Sequence, residues 1–182
     1  MGSYVALLRG IGPLNPNMRN EKLRGVFEEL GFENVRTVIT TGNVLFDSPS
    51  RAIRGFETQV EETLPKRLGF SSTTIIRSRK ELQDLVDGDR LKRLVRTYEK
   101  DLDLTFFKRK ARVKSLLPYR PDDRDYSILA LDDRTVCSVT DRRAGTKPPD
   151  YMRWIEKHFG KDVTTRTYGT VERILKRLSE DP

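Results

Sequence analysis

One cysteine and one histidine are all that 182 residues hold of the side chains most used as nucleophiles, bases and soft metal ligands. A lone Cys137 allows no intrachain disulfide and no cysteine-based zinc site. It stands in RTVCSVT, an alternating strand pattern, where a free cysteine is expected as a small core residue. His158, in EKHFGK near a predicted helix end, is placed to offset the partial negative charge there. No metal-ligand spacing appears, and no cofactor is implied. No apolar run approaches the ~20 residues that a membrane span needs. No signal peptide is visible, and Ala6 breaks the myristoylation pattern that Met1-Gly2 begins. The expectation is a cytoplasmic protein with no membrane partner.

Charge is abundant. Charged residues make up 34% of the chain against 36% apolar, so the surface must be heavily charged. The formal net charge is +8. Residues 1–100 carry 17 basic and 13 acidic side chains and residues 101–182 carry 18 and 14, so each half contributes +4 and there is no basic tail. Such a balance suits nucleic-acid contact, and equally a soluble, arginine-rich surface.

The pattern of apolar residues predicts a repeat. Tyr4–Arg9 reads as a strand. Leu23, Val26, Phe27 and Leu30 then fall on one helical face. NVRTVI and NVLFDS are strands joined through a turn at Gly42. A second helix follows with Ile53, Phe56, Val60 and Leu64 on one face, and STTIIR is a fourth strand. Two helical stretches separated by Gly88 occupy 79–98. From LDLTFF the order recurs: a strand, a helix-compatible KARVKSLL ended by Pro118, the paired strands DYSILAL and RTVCSVT, a helix in PPDYMRWIEKHFG, the strand DVTTRTY and a last helix. Each unit fits the split βαβ arrangement of ferredoxin-like folds. The fold class is therefore α+β, with two tandem ferredoxin-like βαββαβ subdomains on antiparallel sheets. The expected boundaries are 1–78, bridging helices at 79–100, and 101–182 with the C-terminal helix.

The first strand leads into GIGPLNPN and then a helix, the layout of a phosphate-binding loop. A dinucleotide fingerprint needs a third glycine where Asn15 stands, and Pro13 removes one backbone N–H. No Lys-Ser/Thr pair follows, so it is not a P-loop. Arg9, Gly10 and Asn17 beside a helix N-terminus still suit an anion, although such turns are also ordinary capping structure.

YVALLRGI, LGFENVRTVITTGNVLFDS and TTRTYGTVERILKRL, taken together, resemble the bacterial domain-of-unknown-function family 1697. The resemblance spans blocks at both ends of the chain. It implies a cytoplasmic bacterial protein with two ferredoxin-like subdomains, and it implies no activity. Two departures stand out. Family members usually carry a Gly- and Lys-rich loop after the first strand, here GPLNPNM. They usually carry Thr-Arg-Asn-Trp near the end, here Thr165-Arg166-Thr167-Tyr168.

Three classes of function compete. The first is non-catalytic binding of nucleic acid or another anionic ligand. Arg9, Gly10, Asn17, Thr41, Asn43, Thr165, Arg166 and Tyr168 offer charge and hydrogen bonds to an anionic small molecule. FFKRKARVK offers Lys108, Arg109, Lys110, Arg112 and Lys114 to the phosphates of a single strand, with Phe106 and Phe107 beside them for stacking or for the core. Tyr4 and Phe46 lie on the strands that carry stacking rings in RNA-recognition sheets. The second class is an enzyme acting on a phosphate-bearing small molecule, for which the sequence supplies no base–nucleophile constellation. The third is a protein-interaction module using open sheet edges. The oligomeric state is not legible.

Overall fold

The computed structural model describes residues 1–12, 14–98, 102–122, 126–140 and 150–180. The first repeat runs β1 (Gly2–Leu8), α1 (Asn20–Glu29), β2 (Glu33–Thr37), β3 (Asn43–Ser48), α2 (Ile53–Leu68) and β4 (Thr74–Ser78). After α3 (Arg79–Asp87) and α4 (Asp89–Tyr98) come β5 (Leu102–Phe107), β6 (Tyr126–Ala130), β7 (Thr135–Thr140), α5 (Tyr151–Phe159), β8 (Val163–Thr167) and α6 (Tyr168–Ser179). Gly88 separates α3 from α4, as its lack of a side chain suggests. The strand orders β2-β3-β1-β4 and β6-β7-β5-β8, all neighbours antiparallel, are those of two ferredoxin-like subdomains.

Strand alternation decides each sheet's faces. Tyr4, Ala6 and Leu8 of β1, with Val44 and Phe46 of β3 and Ile76 of β4, share one core with Leu23, Val26 and Phe27 of α1 and Phe56, Val60 and Leu64 of α2. Tyr4, Phe27, Phe32, Phe46 and Phe56 form a contiguous ring cluster within it. The alternate residues Val5, Leu7, Leu45 and Ile75 are buried on the other face.

The chain divides into two compact units, 1–83 with 172–182, and 84–171. The sequence kept the whole C-terminal helix with the second subdomain; in the structure its last turns belong with the first. The first sheet has that second apolar face to cover, and α6 brings Ile174, Leu175 and Leu178, all buried, into the same unit. A polar tie joins them: Arg36 Nη1 on β2 donates to the Glu180 carbonyl at 3.3 Å.

The second repeat differs from the first in one element. KARVKSLL, read as helix-compatible, forms only a single 3-10 turn, Val113–Ser115, where the first repeat has the ten-residue α1. Pro118 and Pro121 leave too short a span for a helix to recover its nucleation cost. Residues 108–121 instead run as a strap over the core of the second unit. The strap is pinned by Lys108 N–H on the Asp162 carbonyl (2.9 Å), by Ala111 N–H on the Asp133 carbonyl (2.8 Å), and by the buried Val113. It ends in an antiparallel bridge from Tyr119 to Ile128 at the outer edge of β6.

Candidate functional site

The predicted ligand residues divide between the two units. Arg9, Gly10, Asn17, Thr41 and Asn43 lie in the first, where β1 leaves the sheet and the β2–β3 hairpin turns. Their roles there are structural in several cases. The Arg9 carbonyl accepts from Ser72 Oγ at 2.8 Å. Gly10 adopts φ +72°, a left-handed conformation that favours glycine. Asn17 Oδ1 accepts from Lys22 Nζ at 2.7 Å on the surface. Asn43 is buried and its Nδ2 donates to the Val38 carbonyl (3.0 Å) and to Thr41 Oγ1 (3.2 Å), so it closes the hairpin.

Thr165, Arg166 and Tyr168 lie in the second unit, on β8 and the first residue of α6. Thr165 faces α5: its Oγ1 is 2.8 Å from Thr105 Oγ1 and donates to Met152 Sδ at 3.0 Å. Arg166 points to the opposite face, donating to Thr164 Oγ1 (2.9 Å) and to the Thr165 carbonyl (2.8 Å). Burial pulls its guanidinium down to about 10, still cationic at neutral pH.

The basic segment keeps its charges and loses its rings. Phe106 and Phe107 are buried, on opposite faces of β5, and Phe107 packs at 5.2 Å from Phe159. Tyr4 and Phe46 face α1 and α2 rather than the surface. None of the four rings is available to stack on a base, because strand alternation turns each toward a core. Arg109 and Arg112 are exposed and Lys108 is half-buried. Lys110 Nζ lies 2.7 Å from Asp133 Oδ2, and that hydrogen bond holds the Asp133 carboxyl below the usual range. The Lys114 side chain lies outside the described residues.

The missing helix leaves a feature that the sequence reading overlooked. Tyr119 at the end of the strap, Tyr126 of β6 and Trp154 of α5 line a groove of about 360 Å³, with Asp150, Arg153 and Lys157 at its rim and Pro121 completing it. Its volume falls in the range of small-ligand sites, roughly 300–1,000 Å³. Tyr119 and Trp154 are stacked at 4.2 Å and 14°, and the His158 ring lies 4.2 Å from the Trp154 ring, tilted by 30°. Tyr119 exchanges both backbone bonds with Ile128, 3.0 and 2.8 Å, which fixes the ring's base. Asp150 caps α5 by accepting from the Arg153 N–H at 3.2 Å and pairs with Arg153 Nε at 2.9 Å. Arg153 and Lys157, one turn apart on α5, are both exposed to solvent. The sequence did carry a signal: Tyr151, Trp154 and His158 recur at helical spacing, with Arg153 and Lys157 at i, i+4 beside them.

Nearby, Tyr151 Oη donates to Asp103 Oδ2 at 2.6 Å. Among the described residues no cluster of three or more His, Cys, Asp or Glu side chains is placed to hold a metal ion. No helix among them is long and apolar enough to cross a membrane.

The DUF1697 family profile, described as a protein of unknown function, matches residues 1–136. The chain belongs to this family. The match takes in Tyr119 and Tyr126 and stops before Trp154, so α5 with its rim cations lies beyond the matched span of this DUF1697 member. The fold is also that of the conserved bacterial protein SP0830 from Streptococcus pneumoniae, with a TM-score of 0.75, 19% identity and 99% of both chains covered. At that identity the likeness is one of fold. No curated protein sequence matches the chain.

Proposed function

We propose that this DUF1697 protein binds an anionic ligand, without catalysis, on the face made by the 108–121 strap and α5. The observation that carries the reading is the aromatic groove of Tyr119, Tyr126 and Trp154 edged by Arg153 and Lys157. Rings and cations side by side suit a ligand that joins flat and negatively charged parts. Arg109 and Arg112, exposed on the strap, extend the positive charge along the chain that ends in Tyr119. An enzyme acting on a phosphate-bearing small molecule draws on one observation, the Tyr151–Asp103 hydrogen bond. A single tyrosine–carboxylate hydrogen bond is a slighter basis than the aromatic groove with its rim cations, and binding is the stronger reading.

The test uses the only tryptophan in the chain. Because Trp154 lines the groove, its fluorescence is a reporter placed at this face. Titration with inorganic polyphosphate and with a single-stranded oligonucleotide at low salt is expected to change the signal saturably for at least one of them. An Arg153→Ala/Lys157→Ala double variant, whose side chains are exposed, is expected to fold normally and to bind more weakly. An unchanged signal with every polyanion at low salt overturns the reading.

A further inference from the structure

We infer that the ligand is single-stranded nucleic acid, with one unpaired base entering the groove against Tyr119; this rests on the proposed binding face and specifies its occupant. The positive charge of this face is spread out. A site for a compact anion gathers buried donors around one point. Here the cations are dispersed and solvated: the Arg153 side chain is 86% exposed and Lys110 is 78% exposed, each held by a single carboxylate. Exposed cations of this kind hold a lone phosphate weakly in water. Along a polyanion their contributions accumulate through counterion release.

The groove suits a base. Its walls are flat rings rather than an aliphatic channel, and a base offers a flat face for such walls whatever its sequence. Tyr119 is set before binding: its backbone is paired to Ile128, and its ring is stacked on Trp154. Little side-chain freedom is left to lose when a base packs there. A duplex keeps its bases stacked inside the helix, so only an unpaired base reaches the groove.

The closing experiment compares ligands by fluorescence anisotropy on the full chain at several salt concentrations. The probes are a single-stranded oligonucleotide, the same backbone made abasic, the corresponding duplex, a mononucleotide and inorganic polyphosphate. The expected order has the base-bearing single strand tightest, by roughly 5- to 150-fold over the abasic strand, the range that one stacked base contributes. Its affinity falls with salt at a log–log slope of about −0.7 for each phosphate neutralised. Tyr119→Leu is expected to remove the base-dependent part and leave the salt slope unchanged, while Tyr119→Phe retains both; circular dichroism checks that each variant folds. The abasic comparison needs no variant, so it stands even if Tyr119→Leu fails to fold. Equal binding of abasic strand, polyphosphate and base-bearing strand overturns this inference and leaves the binding face in place. Equal binding of duplex and single strand, or a mononucleotide as tight as the oligonucleotide with no salt slope, also overturns it. No polyanion binding at low salt removes the face and its occupant together.

Discussion

Cys137 lies at the centre of the second sheet, fully buried on β7, and burial with the nearby Asp103 charge pushes its thiol up to about 12. It is therefore a neutral core residue and no nucleophile. A thiol reagent at pH 8 is expected to leave the native protein unlabelled and to label one thiol per chain in denaturant. The folded chain keeps this proton to higher pH than the unfolded one, whose ordinary value is 9.0. The cysteine's contribution to stability is thus constant below about pH 9 and falls as pH rises from there toward 12. Phe106 makes the same point for aromatic residues. Buried on β5, it is expected to lose about 3–5 kcal/mol on truncation to alanine, read as a lower urea midpoint, with no specific effect on ligand binding. Cys137 was legible from its alternating strand. FFKRK was ambiguous because a ring next to a charge run reads equally as core or as stacking surface until the faces of β5 are known.

At the scale of elements, the outer edge of β4, the last strand of its sheet, is closed by carboxylates. The Ile76 N–H donates to Glu57 Oε1 at 3.2 Å, Thr74 N–H to Glu61 Oε1 at 2.8 Å, and Ser78 N–H to Glu81 Oε2 at 2.8 Å. Glu57 and Glu61 stand one turn apart on α2, facing the strand beside it. Glu81 and Ser78 form a reciprocal capping box at the start of α3, with Glu81 N–H on Ser78 Oγ at 3.2 Å. A strand whose outward N–H groups are already bonded cannot template another chain. Glu57→Ala is expected to cost about 1–3 kcal/mol by leaving the buried Ile76 N–H without this acceptor. Glu81→Ala is expected to cost about 1 kcal/mol through the lost cap. Chemical denaturation checks both. The strands and long helices were readable because apolar residues recur with periods of two and 3.6 along them. The capping box SRKE was readable in principle. The roles of Glu57 and Glu61 were hidden, since acidic residues on a helix look solvated until the neighbouring strand edge is placed. The groove was hidden for a related reason: it exists because KARVKSLL stops at one 3-10 turn, and that depends on competition with Pro118 and on what the strap packs against.

On the scale of the whole chain, the repeat is formally symmetric and physically uneven. Residues 172–182 belong with the first unit, so their removal is expected to lower amide protection in β1 and β3 more than in β5 and β7, measured by hydrogen exchange. The net charge of +8 is shared by both halves, so bulk basicity does not say which face meets an anion. The proposed face follows from the missing helix instead, which leaves Tyr119 and Trp154 beside exposed cations in the second unit. The most direct test of that claim is a two-dimensional amide NMR titration of the full chain with a short single-stranded oligonucleotide. The account predicts shift changes concentrated in the strap around 108–121 and in α5, with the first repeat's sheet unmoved. Changes centred instead on the β1 loop around Arg9 and Asn17, or spread evenly over the basic surface, contradict it.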